Sequence, residues 1–215
     1  MVVASTSCLD VGQRRKTLKI DSVKGFRFIF KSSPMSDDDA ALQVKSSHAK
    51  TEEFVCCLSS LHPQDSSSIS SVIYSPDDSS YSSVLGSTIR NFRFATQTTP
   101  KPLVILTPSS VSHIQSTIHC SRKHGLQIRV RSGGHDFEGS SFVSPVPFLL
   151  VDMVSLRSID IDVVNKVAWI QSGAILGELY YRLADEADTL AFPGGLCPTV
   201  GVRGYMSGGG YGLLF

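Results

Sequence analysis

Val130-Arg131-Ser132-Gly133-Gly134-His135-Asp136-Phe137-Glu138-Gly139 is the stretch on which the reading of this chain turns. Leu126-Gln127-Ile128-Arg129-Val130 alternates like a strand and delivers the backbone into Arg131-Ser132-Gly133-Gly134-His135. Glycine admits positive φ and leaves N–H groups uncovered, which suits a turn that cradles a phosphate. A second stretch of similar make-up follows, Phe192-Pro193-Gly194-Gly195-Leu196-Cys197-Pro198-Thr199-Val200-Gly201, with Cys197 placed 62 positions after His135. Imidazole nitrogen and thiolate sulfur are the side-chain atoms best suited to bond to an electrophilic ring. Each is flanked here by glycines that let a flat, phosphorylated ligand come close.

Working outward, Lys101-Pro102-Leu103-Val104-Ile105-Leu106-Thr107 is a buried-strand pattern, and Pro108-Ser109-Ser110 opens a helix with Val111, Ile114 and Ile118 spaced for one apolar face. Lys123-His124-Gly125 closes that helix with cations in its last turn and a glycine stop. His113, His119 and His124 read as surface or capping residues. Downstream, the pattern predicts a strand over 147–153, a hairpin whose arms 158–163 and 166–171 flank Val164-Asn165, and a helix over 176–187 carrying Leu176, Leu179, Tyr180 and Leu183. Upstream, serine-rich connections surround a short strand at Val72-Ile73-Tyr74. This order of elements is mixed α+β, not a regular doubly wound repeat.

The chain of 215 residues is long enough for one good core or two small ones, and 41% hydrophobic with 18% charged residues is ordinary globular composition. A formal net charge of +1 gives no electrostatic case for nucleic acid or a membrane surface as partner, and the apolar runs are too short to span a bilayer. The five cysteines (Cys8, Cys56, Cys57, Cys120, Cys197) include no CxxC pair, which argues against a zinc site, and no metal ligands are assigned. Residues 1–45 read as an atypical leader, basic through Arg14, Arg15 and Lys16, then acidic at Asp37-Asp38-Asp39, with no apolar segment of the secretory kind. Residues 46–97 read as a helical and loop region, and 98–215 as the main domain. The terminal Gly208-Gly209-Gly210-Tyr211-Gly212-Leu213-Leu214-Phe215 leads a glycine-rich loop into an apolar segment, from which we expect a truncated chain.

From about Thr51 onward the sequence resembles the plant berberine bridge enzyme-like family of FAD-linked oxidases, built on the PCMH-type (vanillyl-alcohol-oxidase) FAD-binding fold. The resemblance is carried by Phe54-Val55-Cys56-Cys57-Leu58, Thr99-Pro100-Lys101-Pro102, the long run His124 to Asp136, Gln171-Ser172-Gly173-Ala174, Gly177-Glu178-Leu179-Tyr180-Tyr181 and Cys197-Pro198-Thr199-Val200-Gly201-Val202. It implies the N-terminal portion of that flavin domain, with FAD attached at two points: His135 to the 8α-methyl and Cys197 to ring carbon C6. Arg131, Ser132, Gly133 and Gly134 would form the diphosphate-binding turn, and Asp136 is counted with the cofactor-binding residues. Thr199, Val200, Gly204, Ser207, Gly209 and Gly210 would form a second segment along the flavin. A small valine at position 200 goes with oxygen access in that family. The resemblance also implies a Cys57–Cys120 disulfide, with Cys56 a possible competitor, and a secretory location such as cell wall or vacuole.

Two departures stand out: the length, since the resemblance implies a longer protein with a substrate-binding domain and a catalytic base beyond this stretch, and one triplet. Arg203-Gly204-Tyr205 occupies the place of the family's usual Gly-Gly-His, so a bulky cation and a phenol replace a glycine and an imidazole. Both are expected to weaken FAD docking or attachment. The implied function is hydride transfer from an alcohol, saccharide or alkaloid-type small molecule to FAD, with reoxidation by oxygen. The alternative is a non-catalytic truncated fragment of such an enzyme. A nicotinamide Rossmann enzyme is disfavoured because the terminal glycines do not form G-x-G-x-x-G after a strand, and a serine hydrolase because G-x-S-x-G is absent.

Overall fold

The computed structural model describes residues 37–62 and 69–212. The leader lies outside the described residues as far as position 36, as does the start of the serine-rich connection. Four strands form the main sheet: β1 (Ile73–Tyr74), β2 (Val104–Leu106), β3 (Gln127–Arg131) and β4 (Phe148–Asp152), in the order β1-β2-β4-β3. β4 runs parallel to both β2 and β3, while β1 pairs antiparallel with β2. Every residue of β2 and β4 is buried, which is why Val104-Ile105-Leu106 and Phe148-Leu149-Leu150-Val151 read as apolar runs, with the charged Asp152 closing β4. The expected hairpin is present as β5 (Ile159–Asp162) and β6 (Val167–Ile170), paired Ile159 to Ile170 and Asp162 to Val167. Its turn is closed by the Asp162 carboxylate, which accepts from Asn165 N at 2.9 Å and Asn165 Nδ2 at 2.6 Å.

The helices are α1 (Asp37–Leu61), α2 (Tyr81–Gly86), α3 (Val111–Lys123), α4 (Leu176–Glu186) and α5 (Val202–Ser207). α1 runs across the boundary expected near residue 45. Ser110 caps α3, its hydroxyl accepting from His113 N, and Gly125 follows the helix at φ +63°. The buried face of α3 differs from the expected one. Val111 is 67% and Ile118 44% exposed, whereas His113, Thr117, Cys120 and Ser121 are buried. The cause is the Cys57–Cys120 disulfide, which draws this face onto α1, where Phe54 and Leu58 are fully buried. Thr117 and Ser121 tolerate burial by donating to His113 O and Ile118 O of their own helix. His113 is therefore buried, and Ile114 packs against the cluster of Val151, Met153 and Leu156.

Among the described residues, no helix is long and apolar enough to cross a membrane.

Candidate flavin-binding site

β3 ends at Arg131, and what holds that end sets the position of the turn beyond it. The Arg131 side chain is fully buried. It donates from Nη2 and Nε to Asp152 Oδ2 (2.6 and 3.1 Å), from Nη1 to Leu85 O (2.7 Å) and from Nη2 to Val84 O (2.9 Å). All of its guanidinium is thus spent inside the protein, and anything Arg131 offers a ligand comes from its backbone. Ser132 donates to Ser172 O at 2.7 Å. Gly134 sits at φ +70°, and a methyl group there would fall on Thr88 O, so this position requires glycine twice over.

The second stretch meets the first along a glycine seam. A methyl group on Gly133 would fall on Gly201 N and within 2.7 Å of Thr199 O, and one on Gly201 would fall on Ser132 Oγ and Gly133 N. Only bare backbone on both sides lets the two segments touch. Across this seam His135 Nε2 lies 2.8 Å from Thr199 Oγ1, and Cys197 Sγ lies 3.6 Å from the same oxygen. The imidazole and the thiol, far apart in sequence, converge on one hydroxyl. No acceptor or donor for His135 Nδ1 is found among the described residues.

Electrostatics favour the nucleophilic form of both groups. His135 is held below the usual histidine range by burial first and by the Arg90 guanidinium second, opposed by a hydrogen bond to the Thr199 backbone. The exposed Cys197 thiol is lowered chiefly by the Thr199 side chain, then by hydrogen bonds from the backbone of Thr199 and Val200, with Arg90 adding to the same effect. Arg90 escapes a sequence reading because no motif surrounds it. It reaches the site because the segment around it clamps the histidine turn: Arg90 N donates to Gly134 O at 3.4 Å, and Asn91 Nδ2 to Phe137 O at 3.1 Å.

The two segments wall a cleft of about 590 Å³, lined by Ser132, Gly133, Gly134, His135, Asp136 and Ser141 on one side. Cys197, Val200, Gly201, Arg203, Gly204 and Tyr205 line the other. The Asp136 carboxylate faces inward on its own loop, accepting from Glu138 N and Ser141 N. Tyr205 packs edge-on against Phe192 and donates to Tyr211 O at 2.8 Å. Ser207, Gly209 and Gly210 do not line the cleft. Ser207 donates to Gly204 O, and the two glycines take positive φ where the chain bends back past Tyr205.

The cleft suits a phosphorylated flavin in three respects. The N–H groups of the buried Gly133 and Gly134 find no acceptor among the described residues, and the buried hydroxyl of Ser141 likewise has no partner. The glycine seam brings backbone directly to the cavity wall. His135 and Cys197 present an imidazole and a thiol to the same space. Residues 102–214, more than half of the chain, match the family model described as FAD binding domain.

The chain belongs to the FAD-binding domain family.

The chain is similar to berberine bridge enzyme-like proteins over a longer stretch than the family model covers. It is 52% identical over 169 residues to tetrahydroberberine oxidase of Berberis wilsoniae, covering 79% of this chain and 31% of the relative. It is 51% identical over 171 residues to berberine bridge enzyme-like 18 of Arabidopsis thaliana, covering 80% of this chain and 32% of the relative. Among solved structures, Phl p 4, a grass pollen allergen with glucose dehydrogenase activity, superposes with a TM-score of 0.69 at 47% identity, covering 75% of this chain and 32% of that one. The chain therefore spans about a third of the length of the curated relatives it matches.

Proposed function

We propose that this domain binds FAD in the cleft between the two glycine stretches, and that His135 and Cys197 attach it covalently. The observation that supports this best is the meeting of His135 Nε2 and Cys197 Sγ on the single Thr199 hydroxyl, with both groups biased toward their nucleophilic forms. Ser132, Gly133 and Gly134 offer backbone N–H groups to the diphosphate, and Asp136 shapes the loop that carries Ser141 to the cleft wall. Thr199, Val200 and Gly204 lie along the flavin, while Ser207, Gly209 and Gly210 form the bend that supports them.

FAD, when bound, supplies a hydride acceptor. The whole protein would then be a flavin-linked oxidoreductase acting on an alcohol, saccharide or alkaloid-type small molecule. The names of the relatives, a tetrahydroberberine oxidase and a glucose dehydrogenase, favour that substrate range. Val200 keeps a small side chain on the cleft wall, which leaves room for oxygen as the reoxidant.

The test is acid precipitation of protein refolded or expressed with FAD, followed by flavin fluorescence of the pellet. Flavin should remain on the polypeptide, be reduced by His135→Ala or Cys197→Ala singly, and vanish in the double variant. Complete release of flavin from initially yellow wild-type protein would refute covalent attachment.

A further inference from the structure

Thr199 holds one hydroxyl between two groups that both need it. A hydroxyl has a single proton, so it can donate to His135 Nε2 or to Cys197 Sγ, and must accept from the other. Two arrangements of the same atoms follow. In the first, Cys197 S–H donates to Thr199 Oγ1, and Thr199 O–H donates to a bare Nε2, with the imidazole proton on Nδ1. In the second, Nε2–H donates to Oγ1, and O–H donates to a thiolate.

We propose that Thr199 is a positioning residue whose hydroxyl, by passing one proton from Cys197 toward His135, readies both side chains for bond formation at once. The S–H bond breaks as the proton moves to Oγ1, and Oγ1 gives its own proton to Nε2. The imidazolium then loses its Nδ1 proton to solvent, since the thiol is exposed and the ring only half-buried. What remains is a sulfur with a free negative charge and an imidazole whose Nδ1 lone pair is bare. Nδ1 is the ring nitrogen for which no partner exists among the described residues, so the nitrogen made nucleophilic is the unencumbered one. No electron changes hands, and the only product released is the proton.

The surroundings favour the second arrangement. Arg90 faces both groups from the Thr88–Phe94 segment and opposes a lasting imidazolium while supporting the thiolate. From the α5 side, Arg203 and Tyr205 line the same cleft. The one carboxylate on the cleft wall among the described residues, Asp136, is turned into its loop by two backbone N–H groups. The inference rests on the reading of His135 and Cys197 as the attachment pair, but its chemistry can be read in protein without flavin.

The experiment compares wild type, Thr199→Val and Thr199→Ser without flavin. Cys197 alkylation is followed against pH by peptide mass spectrometry, and His135 by its imidazole NMR signals. In wild type and in Thr199→Ser, the alkylation profile should show a second inflection at the histidine midpoint, as coupled groups do. In Thr199→Val the two titrations should become independent, and alkylation at pH 7 should slow by roughly tenfold as the thiol returns toward its ordinary range. A Thr199→Val profile that superposes on wild type would overturn the relay, even if wild type attaches flavin. Coupled titration in wild type, lost in Thr199→Val and restored in Thr199→Ser, supports the relay whether or not the protein retains covalent flavin.

Discussion

Replacing Asp152 with alanine would strand the Arg131 guanidinium inside the protein, and the structure sets the size of that effect. The pair is dry, with side-chain exposures of 0% and 1%. Removing the carboxylate leaves Arg131 with only the carbonyls of Val84 and Leu85 as acceptors, and it also removes the cap that Asp152 Oδ1 provides to Val154 N at 3.2 Å. Breaking one partner of a buried pair costs about 3–5 kcal/mol. The whole stability of a domain is only about 5–15 kcal/mol, so the loss is a large fraction of it. With a urea dependence of about 2 kcal/mol per molar, the unfolding midpoint should fall by about 2 M. Arg131→Met should do comparable harm, because it leaves the carboxylate buried with a single N–H donor. The double variant Arg131→Met with Asp152→Leu should be less damaged than the sum of the singles, since no buried charge remains. An Asp152→Ala midpoint within about 0.5 M of wild type would refute this reasoning and release Arg131 for another role.

Gly133→Ala should open the seam at Gly201 and Thr199, seen as loss of most FAD affinity in a fluorescence titration, whereas Gly125→Ala, at an open helix end, should leave that affinity unchanged. Cys57→Ser with Cys120→Ser frees a loop of 63 residues and should cost about 4 kcal/mol in chemical unfolding, with no effect from Cys56→Ser. Because His135 is held below the ordinary histidine value, the unfolded chain takes up its proton first as pH falls. The stabilisation is therefore complete above about pH 6.5 and is lost as pH drops through the folded value. Unfolding midpoints between pH 7.5 and 5 should accordingly fall less steeply in His135→Asn than in wild type. Tyr205→Phe removes the bond to Tyr211 O and should cost about 1 kcal/mol, measured by the same unfolding assay.

The central strands were legible because burial on both faces writes itself as Val104-Ile105-Leu106 and Phe148-Leu149-Leu150-Val151, and because Ser110 and Gly125 bracket α3 with a cap and a stop. The facing of α3 was not legible. Its apolar spacing selects Val111, Ile114 and Ile118, but a disulfide fixed the helix by Cys120, and the hydroxyls of Thr117 and Ser121 hid their polarity by bonding to their own helix. In the site, His135 and Cys197 stood out because glycines flank them. Arg90, Asn91 and Ser141 did not, since Ser141 lines the cleft, and Arg90 and Asn91 act on its histidine turn, through tertiary contacts that leave no local pattern. Arg203 and Tyr205, read from sequence as departures from the family triplet, line the cleft, and the anchoring of Tyr205 by Phe192 and Tyr211 depends on chain folding back over Gly210.

The meeting of His135 with Cys197 depends on two anchors that belong to different parts of the fold. The histidine turn is fixed by the end of β3 through Arg131 and Asp152, and by the clamp from Arg90 N and Asn91. The cysteine loop is fixed by the start of α4: Leu176 N donates to Val200 O, Gly177 N to Pro198 O, and Val202 N to Ala174 O, at 2.8–2.9 Å. Gly177 allows that approach because a methyl group there would lie 2.8 Å from Pro198 Cβ. Ser132, by donating to Ser172 O, also ties the histidine turn to the chain just ahead of α4, and the glycine seam is the surface on which the two anchors register. A loosened anchor on either side would therefore separate Thr199 from His135 without altering the side chains proposed to hold FAD. On the proposed attachment of FAD through His135 and Cys197, its geometry follows from how the sheet and α4 are held, and substitutions at Asp152 or Gly177 should reach it as surely as those at His135.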